Sequence, residues 1–351
     1  MIKAATALAL APPAIGLATP SAWYCLGISA HLTAGTTWRR SLAGQAVVVF
    51  RTQAGTVSAL SAWCPHLGAD LGVGGRVEGE TIRCAFHGFC FNGAGECTST
   101  PYGKKVPPAA KAKVIPVVER NGLILAWYGA AGEPPSFEID PIDTADWTEW
   151  REHVFELRGH PQEIAENSVD LGHFAEVHGY VDVKVLAPLI TEGPLLAAKY
   201  GFVRPRAFAF SPALSVESAI YQKGLGYALV EVLLPDIGLR TRQLVLTLPL
   251  GDDRIELRIA MAIDKRLTPR KIHPLLAWVP RRWLAERIAE KGIRGYTEDV
   301  RQDLPIWQAK VHLARPALAD GDGPIGAYRK WVKQFYPTAT ETVQAAHPQL
   351  D

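Results

Sequence analysis

The chain has 351 residues, 48% hydrophobic and 21% charged, enough for about two domains and a sizeable core, in the proportions of a soluble globular protein. A formal net charge of +2, with no long Lys/Arg run interleaved with aromatics, excludes nucleic acid as a partner. Five cysteines (Cys25, Cys64, Cys84, Cys90, Cys97) exclude a disulfide scaffold, and their odd number points to reduced thiols in a cytoplasm.

In chain order, residues 1–19, "MIKAATALALAPPAIGLAT", form an Ala-rich apolar leader interrupted by Pro12-Pro13. It is too short and broken to span a bilayer, which needs roughly 20 apolar residues. Two readings stay open: a loosely ordered leader, or a segment that is cleaved or touches a membrane surface. Residues 20–135 read as an all-β domain, with short strands in "GQAVVVFRT", "TVSALSAW", "ETIRCAF" and "KVIPVVERNGLILAWYG" separated by Gly-rich joints such as "GVGGRVEGE". "GAAGEPPSFEIDPID" has linker composition, and a second domain over 136–351 takes shape from Trp147. There a strand "WREHVFELRGHPQ" precedes a helical stretch "EIAENSVDLGHFAEVHG" ended by Gly179. After a Pro-rich passage come longer strands, "LVLTLPLGDDRIELRI" making a hairpin at Gly251–Asp253, with Ile255, Leu257, Ile259, Met261 and Ile263 alternating onto one face. A helical run from Arg281, with a break expected near Gly295, and a short amphipathic helix "GAYRKWVKQFY" complete the chain.

The first constellation is Cys64-x-His66 followed, seventeen residues on, by Cys84-x-x-His87, each pair with a glycine behind it (Gly68, Gly88). Thiolate with imidazole suits zinc or an iron–sulfur cluster. Alternating Cys and His on two loops of a β-rich unit resembles a Rieske [2Fe–2S] site, in which two Cys hold one iron and two His the other. The resemblance implies Cys64 and Cys84 on one iron and His66 and His87 on the second. It is to the oxygenase kind: the positions where respiratory Rieske proteins carry a disulfide and hydroxyls are Ala69, Phe86, Phe89 and Phe91 here, which implies a potential near the low end of the range, around −150 mV. "CAFHGF" stands where oxygenases often have Cys-Pro-Tyr-His-Gly-Trp. Cys90 and Cys97 read as packing residues.

The second constellation is Asp170-x2-His173-x4-His178 in the helical stretch, with Asn167 and Asp170 as candidate catalytic residues. Asp170 and His173 share a helix side, so the carboxylate can hold the ring. His178 lies five residues beyond His173 and leaves that face, so the helix needs a π-type turn or an end before it. Two His and one carboxylate make the facial triad of non-haem Fe(II). Spacing leaves the carboxylate open among Glu298, Asp299 and Asp303; the likeness of "QDLPIWQAK" to a steroid-type Rieske oxygenase stretch points to Asp303, with Asp299 in reserve and Pro305 as an unusual kink.

From about Trp23 to Tyr336 the chain resembles the terminal oxygenase of Rieske non-haem iron enzymes, most nearly the 3-ketosteroid 9α-hydroxylase and cholesterol 7-desaturase group. The resemblance implies an α+β fold, a Rieske domain followed by a helix-grip catalytic domain with an antiparallel sheet, and homotrimers. It implies a [2Fe–2S] cluster, mononuclear Fe(II) and O2. Having no GxGxxG fingerprint, the chain must draw NAD(P)H electrons through a separate reductase, with or without a ferredoxin. The expected reaction is hydroxylation, demethylation or desaturation of a hydrophobic, sterol-like molecule. An aromatic, alkaloid or tetrapyrrole substrate is the alternative within the class, and a Rieske electron carrier without oxygenase activity the alternative outside it.

Overall fold

The computed structural model describes residues 13–103, 105–205 and 213–337. The first part consists of short antiparallel strands: β1 (Ala22–Ile28), β2 (Thr37–Leu42), β3 (Gln45–Arg51), β4 (Val57–Ser61), β5 (Arg76–Glu78), β6 (Thr81–Arg83), β7 (Cys90–Asn92), β8 (Cys97–Ser99), β9 (Val117–Arg120) and β10 (Leu123–Tyr128). They form three sheets, β1-β10-β9, β2-β3-β4 and β5-β6-β7-β8. The β9–β10 turn is Asn121-Gly122 with φ of 58° and 77°, the left-handed pair that a two-residue hairpin requires. β3 is an unbroken apolar run because it is covered on both faces: Val47 and Val49 pack with β1 and β10, while Val48 and Phe50 pack with Cys64 and Cys84.

The second part holds β11 (Arg151–Arg158), α1 (Pro161–Glu166), α2 (Gly172–Glu176), β12 (Val181–Glu192), β13 (Leu195–Arg204), β14 (Leu214–Lys223), β15 (Tyr227–Leu234), β16 (Leu239–Gly251), β17 (Arg254–Ile263), α3 (Pro269–Ile272), α4 (Arg281–Ala309) and α5 (Ile325–Trp331). Its seven strands make one antiparallel sheet, β11-β17-β16-β15-β14-β13-β12, the expected α+β arrangement. The β16–β17 hairpin turns at Asp252-Asp253, both left-handed, where expected. Alternate residues of these strands serve two layers. Leu244, Leu246 and Ala260 pack outward against Trp23 and Trp127 of the first part, while Ile255, Leu257 and Ile259 pack inward with Val300 and Trp307 of α4.

Three expectations need correction. The Pro-rich passage is itself strand: β12 runs through Pro188, which its edge position tolerates because one side of it lacks a ladder partner. The break near Gly295 is absent, and α4 is one helix of 29 residues with Pro305 inside it; packing on the sheet outweighs the roughly 1 kcal/mol a helical glycine costs. The leader lies outside the described residues as far as residue 12, but the loosely ordered reading does not extend to its end. Ile15 is buried and its N–H donates to Asp253 Oδ2 at 2.7 Å, and the Ala18 carbonyl lies 3.1 Å from His160 Nε2.

Candidate metal centres

Cys64 and Cys84 open two loops of the same construction. In each, the cysteine carbonyl accepts from the N–H of the glycine four residues on (Gly68, 2.9 Å; Gly88, 3.0 Å). The cysteine N–H donates to the carbonyl five residues on (Ala69 and Phe89, both 2.8 Å). Both glycines are left-handed, with φ of 73° and 68°, and a Cβ on Gly88 would meet the Arg83 guanidinium at 2.5 Å. Both cysteines are buried, whereas His66 and His87 are half-buried with ring centroids 4.7 Å apart. Phe89 stacks on His66 at 4.3 Å, and exposed Phe86 covers His87 at 3.8 Å. Burial pushes the Cys64 thiol up to about 11, with Cys84 adding to the rise. Metal ligation is what makes such a buried thiol a thiolate. Two soft sulfurs inside and two imidazoles toward solvent therefore fit an iron–sulfur group ligated unequally at its two ends. Cys90, buried with Sγ 3.6 Å from the Gly88 carbonyl, and half-buried Cys97 stand apart from the two loop pairs.

The second set comes from α2 and α4. α2 ends at Glu176, beyond which the His178 N–H bonds the His173 carbonyl at 3.4 Å, an i to i+5 spacing. Gly179, at φ 66°, then lets the Tyr180 N–H reach the Phe174 carbonyl at 2.9 Å. Both devices expected from the five-residue spacing occur together, and they bring the two imidazole centroids to 5.2 Å. Asp303 reaches in from α4, its Oδ2 3.5 Å from His178 Nε2. One donor atom from each of His173, His178 and Asp303 lies within 4.8 Å of the others. Each ring has its Nδ1 against an oxygen, His173 against the Asp170 carbonyl at 2.5 Å and His178 against Gln302 Oε1 at 3.3 Å, which leaves both Nε2 atoms as donors for a metal.

The role expected for the Asp170 carboxylate is corrected by these contacts. Its Oδ1 is 3.9 Å from the His173 ring and instead accepts from the His173 backbone N–H at 3.3 Å. Standing two residues before α2, the side chain caps the first turn and leaves the ring to the main chain. Asp299 is engaged by Arg204 at 2.7 Å, and Glu298 is paired at the surface with Arg301. Asp303 is buried; burial pushes its carboxyl up to about 6, which His178 opposes and Asp299 and Asp170 increase. Burial likewise lowers His173, against the neighbouring Asp170. A buried acid without a fixed cation beside two outward Nε2 atoms is a donor set that a divalent metal completes.

All three residues line a cavity of about 400 Å³ between the sheet and α4, with Asn167 on its wall at the end of α1. Its lining is mostly apolar, Val230, Ile259, Met261 and Ile263 among it, with a few polar groups on the same strand faces. Thr241 and Gln243 project from β16, and the Thr241 hydroxyl is buried without a partner among the described residues. Sequence reasoning passed over both, although their two-residue spacing puts them on one strand face. It also passed over Gln302, which no spacing rule marks.

Residues 22–113 match the Rieske [2Fe-2S] domain family, and residues 126–336 match the 3-ketosteroid 9α-hydroxylase C-terminal domain family. A 3-ketosteroid-9-alpha-monooxygenase oxygenase component from Rhodococcus rhodochrous is 30% identical over 335 residues, covering 90% of this chain and 80% of that protein. The cholesterol 7-desaturase of Xenopus laevis is 29% identical over 353 residues, covering 95% and 75%. Among solved structures, dicamba monooxygenase bound to dicamba superposes with a TM-score of 0.64 at 20% identity, covering 93% of this chain and 98% of that one. Pseudomonas putida NdmA with caffeine gives 0.68 at 16%, covering 89% of each. At these identities the two structures speak to fold alone.

Proposed function

The chain belongs to the Rieske oxygenases of the 3-ketosteroid 9α-hydroxylase group, and from its two donor sets we propose how it works as the oxygenase component of a multi-component monooxygenase. Cys64 and Cys84 would hold one iron of a [2Fe–2S] cluster and His66 and His87 the other; His173, His178 and Asp303 would hold the mononuclear iron. The observation that carries this reading is the convergence of those last three residues on the wall of an apolar cavity. The cavity lining supports a hydrophobic substrate, and the likeness to ketosteroid and cholesterol enzymes supports a sterol or steroid one, to be hydroxylated, demethylated or desaturated. An electron carrier would leave the triad and cavity without a task.

When bound, the two metal groups supply O2 activation at the cavity and the electrons that drive it, delivered by a separate NAD(P)H-dependent reductase with or without a ferredoxin. The chain's own residues set the conditions. The Asp170 carbonyl and Gln302 fix the tautomers of the two ligand histidines, and the apolar strand faces keep water from the reacting position. Asn167 stands on the wall beside the reacting position, and Thr241 and Gln243 offer hydrogen bonds to an oxygen on the substrate. Asp170, partly exposed on its carboxylate side, faces a neighbouring subunit's His87 in a homotrimer. Residues 20–135 and 136–351 act as the two domains.

Metal analysis with turnover tests the assignment. Anaerobically purified protein should contain about three irons per chain, and Asp303→Ala about two, with its Rieske visible spectrum unchanged and sterol turnover with a surrogate reductase abolished. An Asp303→Ala protein that kept three irons and full turnover would remove Asp303 from the site.

A further inference from the structure

Between β17 and α4 the chain builds a stiff projection. Pro269 and Pro274 begin its two short helical turns, and Pro280 precedes α4. Its inward side chains Ile272, Leu276 and Val279 pack on Leu239, Ile263 and Leu267. Its outward ones are apolar: Leu275 is 84% exposed, Trp278 96% and Trp283 54%. Residues 265–285 include Lys265, Arg266, Arg270, Lys271, Arg281 and Arg282 and no acid at all. Arg270, Lys271, Arg281 and Arg282 are exposed and have no ion pair among the described residues.

We propose that this projection seats on an anionic lipid surface, with Trp278 and Leu275 entering the boundary between headgroups and acyl chains and the surrounding arginines and lysines meeting lipid phosphates. A side chain as accessible as Trp278 stands out from the surface. Exposed apolar tips ringed by four exposed cations, with no acid between residues 265 and 285, complement a boundary whose headgroups carry negative phosphates and whose acyl side takes the rings. The basic flank supplies the second, electrostatic signal that stable attachment needs. The placement is also suited to a substrate dissolved in lipid. Leu234, Leu239, Ile263 and Ile288 belong both to the cluster that anchors the projection and to the cavity wall. From Ile288 to Asp303 is fifteen residues of α4, about 22 Å at the helical rise, so the lipid-facing end and the metal-facing end lie at opposite ends of the cavity. The inference goes beyond the functional reading and stands without it.

Sedimentation of the full-length holoprotein with vesicles tests it, since it reads binding without turnover. The protein should bind mixed phosphatidylglycerol–phosphatidylcholine vesicles, release as salt is raised, and bind phosphatidylcholine alone weakly. Arg281→Ala/Arg282→Ala should lower the partition about 30-fold and Trp278→Ala at least about tenfold. Both variants should keep wild-type iron content, oligomeric mass and turnover of substrate supplied without lipid. Three outcomes overturn the proposal: no binding by the wild-type protein; equal binding by the variants, which would move any lipid contact elsewhere; or altered mass or reductase-coupled turnover in Trp278→Ala, which would make the projection a subunit or electron-donor contact.

Discussion

His160 is held in one neutral tautomer by two main-chain groups. Nδ1 accepts from the Gln162 N–H at 3.2 Å and Nε2 faces the Ala18 carbonyl at 3.1 Å, so a proton on Nδ1 would meet another N–H. Burial pulls its pKa down to about 4, with smaller opposing effects of Ala18 and Glu163. The unfolded ring titrates near 6.5, so below that pH the unfolded chain binds the extra proton and the folded chain does not. Stability should therefore be unaffected above about pH 6.5 and fall as pH drops toward 4, by about 3 kcal/mol in all. His160→Gln should flatten that dependence in urea melts between about pH 7 and 4; an unchanged slope would place the acid sensitivity elsewhere. Nothing in the His-Pro pair announces this, because the contacts lie across the chain at Ala18. The candidate metal donors were legible for the opposite reason. Each histidine of a pair lies within five residues of its partner donor, and spacing alone carries that information. Asp303 needed the likeness of its stretch to a known one, since Asp299 shares its helix face and only Arg204, distant in sequence, separates the two.

At the scale of the element, α4 shows what periodicity reveals and what it hides. Ile288, Gly292, Tyr296, Asp299, Asp303 and Trp307 recur at steps of three or four and line the cavity along one helical face. Glycine within that pattern suggested a break, yet the helix continues because its neighbours Leu284, Ala289 and Val300 are buried against the rest of the molecule. The two glycines should respond differently to substitution. A Cβ on Gly295 meets nothing within 4 Å, so Gly295→Ala should stabilise by about 1 kcal/mol through helix propensity. A Cβ on Gly292 meets Met261 Sδ at 2.7 Å, so Gly292→Ala should lose that gain to repacking. Chemical melts of both variants check this; no gain from Gly295→Ala would mean the helix is not continuous there. Edge strand β12 was illegible because a proline in a sequence does not say which side of a sheet it will occupy.

At the scale of the whole molecule, the two metal sites stand on opposite sides of the seven-stranded sheet's wall. The first part packs on its outer face through Leu244, Leu246 and Ala260, while the triad borders the cavity on the inner face with Ile259 and Met261. Among the described residues, no hydrogen bond or ion pair joins the loops of residues 63–71 and 84–91 to α2 or α4. Sequence showed the two sites but not this sidedness, which arises only when alternate residues of one strand are assigned to different layers. Electrons kept within one chain would have to cross the sheet, whereas the proposed ring of three chains would let the half-buried histidines meet the next subunit's Asp170. This can be read by complementation. His87→Ala lacks a working cluster and Asp303→Ala a working mononuclear site, and each alone should be inactive. Co-assembled from differently tagged copies, a site works across the interface only where an intact triad follows an intact cluster, which happens once in every mixed ring of three, so doubly tagged trimers should recover about a third of wild-type turnover. Inactive mixed assemblies, with both tags present and iron retained, would show that the electron stays within its own chain and that Asp170 bridges nothing.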